Sequence, residues 1–156
     1  VRHFPVERYP RVVVVAGPGH NGGDALVVAR ELVAQGYGVQ VYSPISRLKP
    51  LTADHLRYVD YLGIPVAEAI AAIAPCDLLI DGLFGFGLER PMEGAIAEVV
   101  AAINGFDCPV ISIDLPSGLH TDTGAVLGTA VRATHTLCLG LWKQAFCQDG
   151  ALAYLG

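Results

Sequence analysis

Val12-Val13-Val14-Val15-Ala16-Gly17-Pro18-Gly19-His20-Asn21-Gly22-Gly23-Asp24-Ala25 passes from β-branched residues into glycines and then into apolar residues at helical spacing. It reads as strand, tight turn and helix. Glycines in such a turn permit positive φ and let a ligand approach the backbone, while the first free N–H groups of the helix point at whatever the turn holds. Toward the amino terminus the strand begins at Arg11 and is apolar nearly throughout, as in a parallel sheet covered on both faces. Toward the carboxyl terminus, Ala25, Val28, Ala29, Leu32 and Val33 predict a helix from Gly22 to about Gln35, with Gly36 ending it.

The same alternation continues. Gly38 to Tyr42 is a second strand, Leu51 to Leu62 a helix, Ile64 to Val66 a short strand, and Glu68 to Ala74 a brief helical piece closed by Pro75. Asp77 to Asp81 is a clear strand, Met92 to Asn104 a helix, Pro109 to Asp114 a strand, and Thr134 to Gly140 the last major strand. Strands alternating with helices predict an α/β fold: a three-layer, Rossmann-like, doubly wound, mostly parallel sheet with helices on both faces. Ligands in such sheets bind outside the carboxyl ends of the strands. Three polar, glycine-rich loops leave strand ends here, Gly17 to Asp24, Asp81 to Pro91 and Asp114 to Gly118, and are expected to converge on one site.

Composition narrows the class. At 156 residues, 53% hydrophobic and with 18 glycines, the chain fits a single domain spanning 1–156 with many tight turns. A net charge of −5 with ten scattered basic residues argues against a nucleic-acid surface. No apolar run reaches membrane-spanning length, so no membrane partner is expected. Cys76, Cys108, Cys138 and Cys147 show no C-x-x-C spacing, with Cys138 inside an apolar strand-like run, and read as buried, reduced thiols of a cytoplasmic protein. The five histidines show no zinc spacing.

Gly17-Pro18-Gly19-His20-Asn21-Gly22 satisfies G-x-G-x-x-G in strand-to-helix context, yet departs from a dinucleotide-binding dehydrogenase. Ser43 stands where an acidic ribose ligand belongs, and Asp24, expected in the first helical turn, would repel a pyrophosphate there. Arg47 and Lys49 could meet a 2′-phosphate but read as a solvated loop. Asp81 and Asp114 each end an apolar strand, where a buried carboxylate is costly unless paired, hydrogen-bonded or metal-bound. An Asn amide oxygen, a carboxylate and a Ser hydroxyl are hard ligands suited to an alkali or alkaline-earth cation. Lys143, in a polar break after the last strand, is a second candidate for phosphate or acid work, with a surface lysine the competing reading.

Val14 to Ala25, Leu79-Ile80-Asp81-Gly82-Leu83-Phe84-Gly85-Phe86-Gly87-Leu88, and Ile113-Asp114-Leu115-Pro116-Ser117-Gly118-Leu119 followed by Thr123-Gly124 resemble the YjeF N-terminal domain family, the NAD(P)HX epimerases. The resemblance runs from about Arg11 to Lys143. It implies an isomerase that interconverts the R and S epimers of hydrated NADH and NADPH, so that a partner dehydratase can restore the cofactor. By the same resemblance His20, Asn21, Gly22, Gly23 and Asp24 line the hydrated dinucleotide, as do Gly85, Phe86, Gly87, Leu88, Glu89, Arg90 and Pro91. Asn21, Asp81 and Ser117 match potassium ligands, and Asp114 matches the substrate-facing aspartate.

Epimerising a carbinolamine carbon requires a proton donor and acceptor near the ring, and Asp114 is the expected catalytic group. His20 and Ala25 depart from the family's usual Asn and Gly. With Val1 to Pro10 ahead of the first strand, the stretch is expected to lack both the helical segment with which the family closes its site and forms a homodimer and a fused dehydratase domain, or to be a fragment of a larger chain. An alternative on the same fold is a non-catalytic nucleotide-binding or scaffold module, resembling the related domain of mRNA-decapping scaffold proteins. The intact Asn21, Asp81, Asp114 and Ser117 favour an enzyme, and His20 and the short amino terminus favour the scaffold.

Overall fold

Four consecutive valines leave a strand no polar face to give to water, which suits only the middle of a sheet. In a computed structural model, which describes residues 2–156, β1 (Arg11–Ala16) lies there, with every residue after Arg11 buried. The chain continues through α1 (His20–Ala34), β2 (Gly38–Tyr42), α2 (Pro50–Tyr61), β3 (Val66–Ala67) and β4 (Leu78–Gly82). It then forms α3 (Gly94–Asn104), β5 (Val110–Ile113), β6 (His135–Leu137) and α4 (Asp149–Leu155). The strands make one six-stranded sheet in the order β3-β2-β1-β4-β5-β6. Every pairing is parallel, so the expected mostly parallel sheet is wholly so.

The alternation of side chains along the strands divides the core in two. Val12, Val14, Leu78, Ile80, Ile111 and Ile113 face α1 and α2. Val13, Val15, Leu79 and Val110 face α3 through Val99, Val100 and Ile103. A third, smaller cluster joins Leu115 and Leu119 to Ala145 and Ala151, where α4 closes over the chain that leaves β5.

Several expectations are corrected. Gly19, extended at φ −101° and ψ −163°, caps α1, so the helix starts at His20 rather than Gly22. Asp24 is therefore the fifth helical residue and lies beyond the first turn. The piece after Glu68 shrinks to a 3₁₀ turn at Ile70–Ala72. The last strand keeps only His135–Leu137, so Cys138 lies just past it. None of the four cysteines is fully buried: Cys76, Cys108 and Cys138 are half-buried and Cys147 is exposed. All four are free thiols, and Cys76 Sγ lies 3.5 Å from Cys108 Sγ. A 3₁₀ turn at Gln144–Cys147 and α4 were not expected. Among the described residues no helix is long and apolar enough to cross a membrane.

Candidate functional site

Polar side chains are seldom fully buried without a purpose, because each must recover the hydrogen bonds it gave up to water. Among the described residues six are buried: Thr52, Asp81, Ser112, Asp114, Ser117 and Lys143. All six converge on the carboxyl edge of β1, β4 and β5, where the sheet order reverses direction between β1 and β4. That crevice is where an open α/β sheet binds ligands.

Asp81, wholly buried, holds the centre. Its Oδ1 accepts from Ser117 Oγ at 2.6 Å and from the Leu83 N–H at 3.2 Å. Its Oδ2 accepts from Ser112 Oγ at 2.8 Å and from the Ser117 N–H at 3.0 Å. Burial pushes the Asp81 carboxyl above its usual range, and hydrogen bonds from Ser117, Ser112 and Leu83 oppose that shift. Ser117 Oγ also accepts from the Phe84 N–H at 2.9 Å and lies 3.1 Å from the Phe84 carbonyl oxygen. A hydroxyl carries one proton, so it can donate to Asp81 or to Phe84 but not to both.

Asp114, the residue after β5, has φ 71°, the sole non-glycine in the left-handed region among the described residues. Asp tolerates that region better than most side chains. The twist lets its N–H donate to the Leu137 carbonyl at 2.8 Å while its carboxylate turns into the crevice. There Oδ2 accepts from the Phe86 N–H at 3.1 Å, Oδ1 accepts from the Leu139 N–H at 3.3 Å, and Lys143 Nζ forms an ion pair with Oδ1.

Glycines set how closely the loops meet. A Cβ on Gly17 would overlap the Leu83 carbonyl, and one on Gly82 would overlap the Ala25 side chain. The first and second loops thus touch backbone to backbone, with Gly17 N–H donating to the Gly82 carbonyl at 3.0 Å. A Cβ on Gly85 would come within 2.9 Å of Asp114 Oδ2 and 3.2 Å of Asn21 Oδ1. With no Cβ there, the Gly85 backbone packs close against both groups. Asn21 Nδ2 is buried and has no hydrogen-bond partner, the one such side-chain atom among the described residues.

The structure therefore brings Asn21, Asp81, Asp114 and Ser117 together. Gly22 and Gly23 are buried in α1, while His20, which starts the helix, and Asp24, just past its first turn, are exposed. Of the second loop, Gly85 and Leu88 are half-buried and Phe86, Gly87, Glu89, Arg90 and Pro91 are exposed. Lys143, 9% exposed, is not a surface lysine. Ser43 is half-buried, and Arg47 and Lys49 are exposed on the loop whose Lys49 N–H donates to the Pro18 carbonyl. Two participants escaped the sequence reading. Ser112 was visible as the single polar residue in Val110-Ile111-Ser112-Ile113, and Thr52, which donates to the Gly19 carbonyl at 2.8 Å, carried no such signal.

Asn21, Asp81 and Ser117 offer oxygens of the hard type that suits an alkali or alkaline-earth cation better than a transition metal. Here, however, each Asp81 oxygen already accepts two hydrogen bonds and the unpartnered Asn21 atom is a donor nitrogen, so Asp81 must give up hydrogen bonds to ligate an ion. Among the described residues no group of three or more His, Cys, Asp and Glu side chains stands ready for a metal ion.

Comparison with known proteins gives consistent results. A family model described as YjeF-related protein N-terminus matches residues 2–145. The chain is 58% identical over 154 residues to the bifunctional NAD(P)H-hydrate repair enzyme Nnr of Thermosynechococcus vestitus, an alignment covering 99% of this chain and 30% of that one. It is 41% identical over 157 residues to the NAD(P)H-hydrate epimerase of Limosilactobacillus fermentum, covering 99% of this chain and 74% of that one. The chain thus spans about 30% of the length of the bifunctional relative. The crystal structure of yeast ynu0 superposes with a TM-score of 0.81 at 26% identity, covering 94% of this chain and 67% of that one.

Proposed function

The chain belongs to the YjeF-related protein N-terminus family, and from that premise we propose that it is an NAD(P)H-hydrate epimerase, an isomerase acting on the hydrated nicotinamide ring of NADH or NADPH. The observation that carries the reading is the Asp114 carboxylate, buried at the carboxyl ends of the strands with Oδ2 close against Gly85 beside Asn21 and accepting one hydrogen bond, from the Phe86 N–H. A carbinolamine carbon changes configuration by either of two routes. In one, the hydroxyl is protonated, leaves as water and returns on the other face; in the other, the hydroxyl loses its proton, the ring C–N bond opens to an aldehyde, and the ring recloses on the other face. Each needs one group that both gives and takes a proton at the hydroxyl oxygen, and Asp114 Oδ2 is that group.

The remaining residues bind and orient. The start of α1, from His20 through Asn21, Gly22 and Gly23 to Asp24, and the loop from Gly85 to Pro91 contact the dinucleotide. Phosphate oxygens are favoured at a helix amino terminus, where free N–H groups point outward. By the family likeness Asn21, Asp81 and Ser117 would hold potassium, with Asp81 giving up hydrogen bonds to do so, and the ion would supply positive charge against the substrate phosphates. The reducing cytoplasm is the proposed setting, on the four free thiols, and an NAD(P)HX dehydratase is the proposed functional partner.

The test is to mix the chain with the R epimer of hydrated NADH and a dehydratase specific for the S epimer. The R epimer should disappear faster than it epimerises spontaneously, and Asp114→Asn should lower that rate by about 100-fold or more, the usual scale for general acid–base groups. A bound ligand with no acceleration by the unmutated chain would leave a binding or scaffold module instead.

A further inference from the structure

We propose that Lys143 is a positioning residue that makes Asp114 a carboxylate with a single working oxygen; this deepens the epimerase reading and rests on it. A carboxylate oxygen has two lone pairs. Asp114 Oδ1 fills both, one with the Leu139 N–H and one with the ammonium of Lys143. Oδ2 fills one, with the Phe86 N–H, and lies close against Gly85 with its other lone pair unpaired.

Lys143 is itself anchored. Its Nζ donates to the Leu139 carbonyl at 2.6 Å and lies 3.7 Å from Cys138 Sγ. Leu139 thus gives its N–H to Asp114 and its carbonyl to Lys143, while Lys143 donates to Asp114, closing a ring of three hydrogen bonds. The ring fixes the carboxylate torsion of a residue whose backbone is already in the left-handed region. It also decides between two roles for the lysine. An ammonium on a side chain 9% exposed, with its three donors directed at Asp114, Leu139 and Cys138, is not free to grip a phosphate at the surface. Its effect on the reaction runs through Asp114.

The test compares kcat and KM for the unmutated chain, Lys143→Met, Lys143→Arg, Asp114→Asn and the Asp114→Asn/Lys143→Met double variant, together with amide hydrogen exchange at Phe86 and Leu139. Lys143→Met should lower kcat about 10- to 100-fold, the scale of a misplaced catalytic group, with KM changed by less than about 3-fold. Lys143→Arg, which can still donate to Oδ1, should recover most of the loss. The double variant should be no slower than Asp114→Asn alone, because residues acting as one unit are not additive. Both amides should exchange faster in Lys143→Met.

The proposal is overturned if Lys143→Met keeps kcat within about 2-fold, if it raises KM alone, if the two losses add, or if the amides do not change. Where Lys143→Met does not fold, Lys143→Gln is read in the same way. An unmutated chain that fails to epimerise sinks the functional reading and this proposal's catalytic claim with it, while the amide exchange still decides whether Lys143 holds Asp114.

Discussion

Ser112 shows how much a single hydroxyl can carry. It is fully buried in β5 and donates to Asp81 Oδ2 at 2.8 Å, opposite the bonds that Ser117 and Leu83 make to Oδ1. Ser112→Ala should cost about 1.5–3 kcal/mol, the range for a hydrogen bond to a charged group, read as a lower urea midpoint with unchanged slope. A loss below about 0.5 kcal/mol would mean that Asp81 finds another donor. At this scale the residues that end strands were legible, because an Asp after an apolar run is conspicuous: Asp81 and Asp114 both prove buried and hydrogen-bonded. Lys143 was not. Its partner lies 29 positions away, and nothing in a sequence tells whether a long side chain turns back to the sheet or out to water.

At the scale of the element, the three loops work because backbone meets backbone. Gly17→Ala would drive a Cβ into the Leu83 carbonyl, which is main chain and cannot swing aside, so the first and second loops must separate. The expected loss is about 1–3 kcal/mol or more, as for overpacking a fixed site. Gly19 is the matched control: a Cβ there meets nothing within 4 Å, and Gly19→Ala should cost less than about 1 kcal/mol through a poorer helix cap. Thermal melting of the two variants side by side checks both, and similar losses would contradict the assigned contact.

Strands at this scale were legible where apolar runs were long, as in β1 and β2, whose bounds agree with the sequence reading. Helix starts were less so. Gly22 and Gly23 look like breakers, but here they lie inside α1, buried because the neighbouring chain leaves no room for a side chain at Gly22. α4, seven residues long, is too short for apolar spacing to declare it.

For the whole molecule, the end of the sheet opposite the site is tied by one ion pair. Arg11, at the start of β1, meets Asp77, just before β4, with Nη2 2.7 Å from Oδ1 and Nε 3.0 Å from Oδ2. The hydrogen-bonded guanidinium holds the Asp77 carboxyl below its usual range. A carboxyl lowered on folding adds stability above its unfolded value and loses it as pH falls through its folded value. Arg11→Met should therefore be less stable than the unmutated chain at neutral pH. The gap should close as pH drops below the ordinary carboxyl range, about 4, in urea titrations at stepped pH. A gap that persists in acid would assign the effect to packing.

The order of strands in the sheet also governs how this protein comes into being. β1 pairs with β4, Val12 with Leu78, so the central seam joins strands separated by the whole β2–β3 excursion. Closing so long a segment costs chain entropy before any contact repays it, which makes such pairings late events. A nascent chain that has emerged only through β3 already has the glycine turn and its helix but neither aspartate. During synthesis, ligand capture at this site therefore waits for β5, and a ligand bound there would stabilise the finished sheet without serving as a template for its assembly.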